Sequence, residues 1–207
     1  MAGVLWKRWR LLEDRELYNL ETDPLQEKNV IAEHPEMVEK LRTKLDTWWK
    51  EVGEIANEPQ RVVIGHAAEN PMMLTACEWL DVFIDQQKQV RRADLKNGWW
   101  ELEVAEEGEY EFELRRWPRE TGLSLRDGLP ATPVTDGELE KGIPLEITTA
   151  RIRIGRFFGR KKLPKNADHA TFRARLAEGK TRLHTWFDDS RGQPIIGAYY
   201  VYVRRLP

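Results

Sequence analysis

The sequence predicts two folded units in series: a small α+β unit over residues 1–57, then an all-β antiparallel sandwich, jelly-roll-like, over residues 58–207. Three observations carry that reading. Residues 98–117 alternate cleanly, with Trp100, Leu102 and Val104 opposite Glu101 and Glu103, and Tyr110, Phe112 and Leu114 repeating the pattern, as a half-buried sheet requires. Val38, Leu41, Leu45 and Trp48 recur at helical spacing and form one apolar stripe. After residue 60, short strand-like runs alternate with glycine and proline turns, a pattern of sandwiches and barrels.

Composition narrows the function classes. With 207 residues and 41% hydrophobic content, the chain can bury a real core. A formal net charge of -2 lacks the strongly basic footprint of nucleic-acid binding. The lone Cys77 has no cysteine to pair with and no thiolate cluster for zinc or iron-sulfur chemistry. No apolar run reaches the length of a membrane span. Nine tryptophans are expected mainly as core residues.

In the first unit, Val4 to Leu12 reads as one strand and Glu16 to Leu20 as a second, with Glu13-Asp14-Arg15 as the turn between them. Asp23-Pro24 offers a cap and a first-turn proline for a single helical turn, and His34-Pro35 repeats the device before the longer helix. Glu51 to Gln60 loses the stripe and reads as a linker. A unit of about fifty residues buries too little surface to stand comfortably alone.

Here the chain resembles a known family. Lys7-Arg8-Trp9-Arg10-Leu11-Leu12, then Glu16-Leu17-Tyr18-Asn19-Leu20-Glu21-Thr22-Asp23-Pro24, Glu27, Asn29, His34-Pro35-Glu36 and the Leu41 to Trp49 helix are similar to the C-terminal end of bacterial arylsulfatase-like sulfatases. Asn19 stands where that family usually has aspartate, and Gln26-Glu27 shifts the turn slightly. The resemblance covers about the first quarter of the chain. It implies a sulfate ester hydrolase whose catalytic apparatus, a formylglycine nucleophile from Cys or Ser in a Cys/Ser-x-Pro-x-Arg signature beside a divalent metal such as calcium, lies upstream. Nothing in this sequence matches that signature: Cys77 is followed by Glu78-Trp79-Leu80, and the runs at Ser124 and Ser190 lack the proline. The expectation is therefore no catalytic residue, no metal ligand and no cofactor in this chain, with the upstream domain as its partner.

In the second unit, Val62 to Ile64 and Met72 to Cys77 read as strands, with Cys77 as a small buried residue. Val82 to Ile84 suggests a short strand and Gln86 to Arg92 a loop. Residues 98–117 read as a hairpin turned at Ala105 to Gly108, its outer face made acidic by Glu101, Glu103, Glu109, Glu111 and Glu113. Pro118 to Pro144 is a long irregular connection. Strands resume at Leu145 to Phe157, at Thr171 to Leu176, at Thr181 to Phe187 after a hairpin turn at Glu178-Gly179-Lys180, and at Gly197 to Arg204. The tryptophan-rich alternation and the Ala177-Glu178-Gly179 turn are similar to carbohydrate-binding sandwiches. Residues 69–75 and 114–120 resemble the extension that follows the sulfatase fold in some arylsulfatase-like proteins.

Candidate ligand contacts follow from exposed aromatic rings and the one basic stretch. Trp99, Tyr200 and Tyr202 are candidate sugar platforms, and Arg153, Arg156 and Arg160, with Lys161, Lys162 and Lys165, are candidate contacts for sulfate groups. A solvated strand face is the plainer reading of the same basic run. His34, His66, His169 and His184 have no shared ligand spacing. His184 and Trp186 share a strand face, as groove lining or as packing, and Asp188-Asp189 reads as an acidic turn. Three readings compete: a noncatalytic sulfatase C-terminal region, a carbohydrate-binding module for sulfated or neutral glycans, and a stand-alone interaction protein. The N-terminus has no signal-peptide core, which favours the cytoplasm for a true start; as the tail of an exported sulfatase, the chain is periplasmic or extracellular.

Overall fold

The computed structural model describes residues 2–207. The chain forms two compact units, Met1–Pro59 and Gln60–Pro207. Among the described residues, no helix is long and apolar enough to cross a membrane.

The first unit is a three-stranded antiparallel meander of β1 (Gly3–Trp6), β2 (Trp9–Leu12) and β3 (Glu16–Asn19), followed by the helix α1 (Pro35–Asn57). The strand expected over Val4–Leu12 is thus two strands. Trp6 pairs with Trp9 across a two-residue turn in which Lys7 takes a left-handed φ of 54°, and polar residues in a short apolar run hide such a break from a periodicity reading. Asp23-Pro24 starts no helix: the Asp23 carboxylate accepts the backbone N–H groups of Glu27 and Lys28, both at 3.0 Å. Those bonds hold its pKa below the ordinary carboxylate value. Asn29 joins the parts, since its Oδ1 accepts from Leu17 N and Ile31 N while its Nδ2 donates to Arg15 O. Helix α1 continues to Asn57, inside the segment expected as a linker, and its stripe is only partly buried: Val38 and Leu41 join Trp9, Leu11 and Leu17 in the core, whereas Trp48 is exposed.

The second unit is β-rich and sandwich-like, with two sheets burying a common core. In chain order it contains β4 (Val62–Ile64), β5 (Met72–Thr75), the short helix α2 (Gln87–Arg92), β6 (Trp99–Val104), β7 (Gly108–Arg115), β8 (Thr132–Val134), β9 (Gly137–Leu139), β10 (Thr149–Ile154), β11 (Phe157–Lys162), β12 (Ala170–Leu176), β13 (Gly179–Asp188), β14 (Pro194–Ile196) and β15 (Tyr200–Arg205). One sheet has the order β11-β10-β13-β6-β4, with β14 beside β13; the other is β12-β7-β15-β5. Pairing is antiparallel except between β4 and β6, so the first sheet is mixed.

The expected hairpin over residues 98–117 does not form. β6 pairs with β13 and β4, whereas β7 pairs with β12 and β15 in the other sheet. The connection after Val104 therefore crosses between sheets. Trp100, Leu102 and Val104 meet the core from one side, and Tyr110, Phe112 and Leu114 from the other; all six are at most 1% exposed. The turn at Glu178-Gly179 is another crossing, from β12 in one sheet to β13 in the other. Alternation reports which face is buried but carries no information on the pairing partner.

Other segments depart from expectation for local reasons. The strand expected over Leu145–Phe157 begins at Thr149 and turns at Gly155, whose φ of +54° permits the β10–β11 hairpin. Cys77 is exposed in a 3-10 turn, and residues 87–92 form helix α2 while Val82–Ile84 form no strand. The connection after β7 carries a single 3-10 turn, Arg119–Thr121, and the small β8–β9 hairpin. Three arginines hold this connection by its carbonyls: Arg91 donates to Pro130 O and Glu140 O, Arg116 to Asp127 O and Ile143 O, and Arg126 to Ile147 O.

The outer faces are charge-paired, not acidic as expected. Glu111 sits between Arg173 and Arg204 of the two neighbouring strands, at 2.8 and 2.7 Å. Glu101 pairs with Arg182, and Glu113 with both Arg115 and Arg119. These partners lie 62 to 93 residues away for Glu111, beyond any local sequence window.

Candidate functional site

The candidate ligand residues divide between the two sheets. On the outer face of β12-β7-β15-β5, Tyr200 and Tyr202 project from β15 because Tyr199, Val201 and Val203 take the inward positions. Tyr202 offers no open platform: the Arg119 guanidinium lies over its ring at 4.0 Å, and its hydroxyl accepts Arg119 N–H at 3.2 Å. Tyr200 is half-buried beside a cleft of about 210 Å³ lined by Thr75, Cys77, Ile84 and Gln87. Burial pushes its phenol pKa up, so it is a neutral hydrogen-bonding group.

The outer face of β11-β10-β13-β6 collects the others. Strand register sets Phe158, Arg153, His184 and Trp99 side by side on four successive strands. The adjacent row contains Arg160, Arg151 and Trp186. Arg156 lies in the β10–β11 turn. Trp99 is half-buried: its Nε1 donates to Glu101 at 3.1 Å, and Arg182 lies over its ring at 4.8 Å. His184 and Trp186 have ring centroids 4.1 Å apart, and Trp99 approaches His184 at 6.3 Å. Burial, then the charges of Arg182, Arg151 and Arg153, lower the His184 pKa, favouring the neutral imidazole. Two grooves meet at His184. One, of about 290 Å³, runs past Trp186, Asn97 and Ile195; the other, of about 550 Å³, runs past Arg153, Thr181 and Arg182.

Phe158 is the residue that sequence reasoning missed. It is 58% exposed, and its place became legible only with the β10–β11 hairpin, because a strand ending at Phe157 leaves it in a loop. The pairing of His184 with Trp186 was readable from their spacing of two.

The remaining histidines serve local structure. His34 precedes α1 and packs against Trp9 with the rings tilted by 60° at 4.8 Å, and the His169 ring meets Asp168 at 2.7 Å. Among the described residues, no group of three or more His, Cys, Asp or Glu side chains gathers as a metal site. Asp188 is not part of an exposed acidic turn: it is 1% exposed at the end of β13 and receives Arg151.

Fold and site together define a two-unit, β-rich protein whose larger unit presents an aromatic and cationic sheet face. No family model matches the chain, and no curated protein sequence matches it. Among solved structures it is similar to the crystal structure of a ruminal GH26 endo-beta-1,4-mannanase, at 12% sequence identity and a TM-score of 0.33. That match covers 66% of this chain and 26% of the mannanase, so the chain spans about a quarter of that protein's length.

Proposed function

We propose that this chain is a noncatalytic C-terminal region of an arylsulfatase-like sulfate ester hydrolase, completing and supporting an upstream catalytic domain. The observation that carries the reading is the first unit's small core beside large uncovered apolar side chains. Among the described residues, Trp9, Leu11, Leu17, Val38 and Leu41 are the buried side chains of that core, with Val4, Trp6, Val30, Ile31 and Met37 partly buried against it, while Leu5, Leu25, Trp48, Trp49 and Ile55 are 48% to 76% exposed. Apolar surface left open on a unit this small suits a permanent partner. The residues behind the sulfatase resemblance also have structural work here: Asp23 closes the turn and Asn29 ties it to the meander. In this reading the formylglycine and its calcium belong to the upstream domain, because the Cys/Ser-x-Pro-x-Arg signature is not in this sequence.

The second unit, in the same reading, is a jelly-roll-like supporting sandwich. The chain's repeated passage between sheets, from β4 to β5, β5 to β6 and β6 to β7, supports that topology. The test is peptide mass spectrometry on the native protein, captured with an antibody against these residues. Peptides upstream of Met1 carrying Cys/Ser-x-Pro-x-Arg are the expected result. A native start at Met1 overturns the reading, as does turnover of an aryl sulfate by the purified 207 residues.

A further inference from the structure

The two sheets of the larger unit handle charge in opposite ways. On β12-β7-β15-β5 and its flanks, Arg115, Arg119, Arg173, Arg175, Arg204 and Arg205 each meet a carboxylate. On the other sheet, Arg151 and Arg182 are paired with Asp188 and Glu101. Among the described residues, Arg153, Arg156, Arg160, Lys161 and Lys162 carry no ion pair. The uncompensated positive charge is thus concentrated at the β10–β11 edge, where its field attracts anions. Beside it stand the rings of Phe158, His184, Trp186 and Trp99.

We infer that this face binds a sulfated polysaccharide laid across the strands, with sugar rings against exposed Phe158 and the outer edges of Trp186, His184 and Trp99, and sulfate esters against Arg153, Arg160 and Arg156. Arg151 and Arg182 share the ring faces of Trp186 and Trp99, each at 4.8 Å. Successive side chains across a sheet stand about 4.8 Å apart, so the face offers a regular row of contacts to a chain with a short repeat. Aromatic rings take the apolar faces of sugars while polar neighbours take hydroxyls. The charge gradient along the row selects a saccharide over a nucleic acid. At the β6 end Glu101 is already neutralised by Arg182, so the positive charge is confined to the β10–β11 end, and a uniformly phosphorylated backbone gains no electrostatic contact along the rest of the row. A sulfate ester presents three terminal oxygens to guanidinium groups from neighbouring strands and stays ionised at all physiological pH, which suits the cationic end.

The inference does not rest on the sulfatase reading. Its test is affinity electrophoresis of the full chain in gels containing carrageenan, neutral dextran, polyphosphate or single-stranded DNA. Retardation by carrageenan is expected, with none by dextran. The exposed charge reversal Arg153→Glu combined with Arg160→Ala should weaken retardation by roughly tenfold or more. Trp186→Ala leaves the charge intact and should also weaken it, whereas Arg173→Ala on the opposite sheet should not. Circular dichroism on each variant separates lost binding from lost folding, and the Arg153 variant decides the matter if Trp186→Ala unfolds. Absence of carrageenan binding, equal retardation by polyphosphate or DNA, or indifference to the Arg153 and Arg160 changes would each overturn the inference. None of these outcomes bears on where the native polypeptide begins.

Discussion

Arg151 and Asp188 form a two-point ion pair across neighbouring strands: Nε and Nη2 of the arginine donate to the two carboxylate oxygens, each at 2.7 Å. Asp188 is 1% exposed, and the pairing joins β10 to β13 on the same sheet face as Trp186, whose ring Arg151 covers at 4.8 Å. Removing one partner of a buried pair leaves the other charge unsatisfied. Asp188→Ala should therefore cost roughly 3–5 kcal/mol, and adding Arg151→Met should restore part of that loss. Urea unfolding of the two single variants and the double variant measures it.

Glu113 gives a pH-dependent contribution. Burial raises its pKa, but hydrogen bonds from Arg119 and Arg115 outweigh it and bring the value down from 4.5 to about 2. A carboxylate held lower in the folded state stabilises fully above its unfolded value and loses that stabilisation as pH falls toward the folded one. Glu113→Gln should cost roughly 1–2 kcal/mol at neutral pH after solvent screening. The difference from wild type should shrink between pH 4.5 and about 2. Thermal melts across that range give the result.

Arg116 organises the long connection after β7. It is 0% exposed, its guanidinium lies 4.5 Å from the Trp117 ring, and burial lowers its pKa to about 10. Replacement with methionine keeps most of the packing but leaves the Ile143 carbonyl without its donor and the Asp127 carbonyl with the Trp117 Nε1–H alone. The expected cost is about 2 kcal/mol, with faster protease cleavage confined to residues 118–147. Cleavage mapped by mass spectrometry checks the location.

Leu41 is 0% exposed in a core of five buried side chains. Leu41→Ala should cost about 2–5 kcal/mol, enough to melt so small a unit. Hydrogen exchange should then show lost protection in residues 1–59 and retained protection in strands β6, β7, β10 and β13.

His184 reports on the aromatic face directly. Its ring should titrate below 6.5 in the free protein, because burial and three arginines oppose the imidazolium. Saturation with carrageenan should raise the midpoint, since a bound anion and a bound proton favour each other reciprocally. Proton NMR of the His184 ring with and without the polysaccharide reads both values.

Much of the candidate site was legible in sequence, but only as parts. Trp99, Arg153 and Arg160 were recognisable as an aromatic residue and two cations on predicted strands. That Trp99 and Arg153 flank His184 in one row, while Tyr200 and Tyr202 lie on the other sheet, depends on pairings between segments up to 85 residues apart in sequence. Tyr202 shows the limit clearly: its outward position follows from period two, but the Arg119 that covers its ring comes from a turn 83 residues earlier.

By itself the sequence determined which residues face inward. Trp100, Leu102 and Val104, and later Tyr199, Val201 and Val203, are buried as their alternation requires, because side-chain direction in a strand is a local property of the backbone. Helix α1 likewise follows from its stripe and from Pro35. Tertiary structure alone decided that β6 and β7 belong to opposite sheets and that the glutamates are neutralised by distant arginines. It also decided that the positive charge of β10 and β11 remains unbalanced. Strand pairing is chosen by the packing of the whole core and by contacts between distant segments, so no local pattern encodes it.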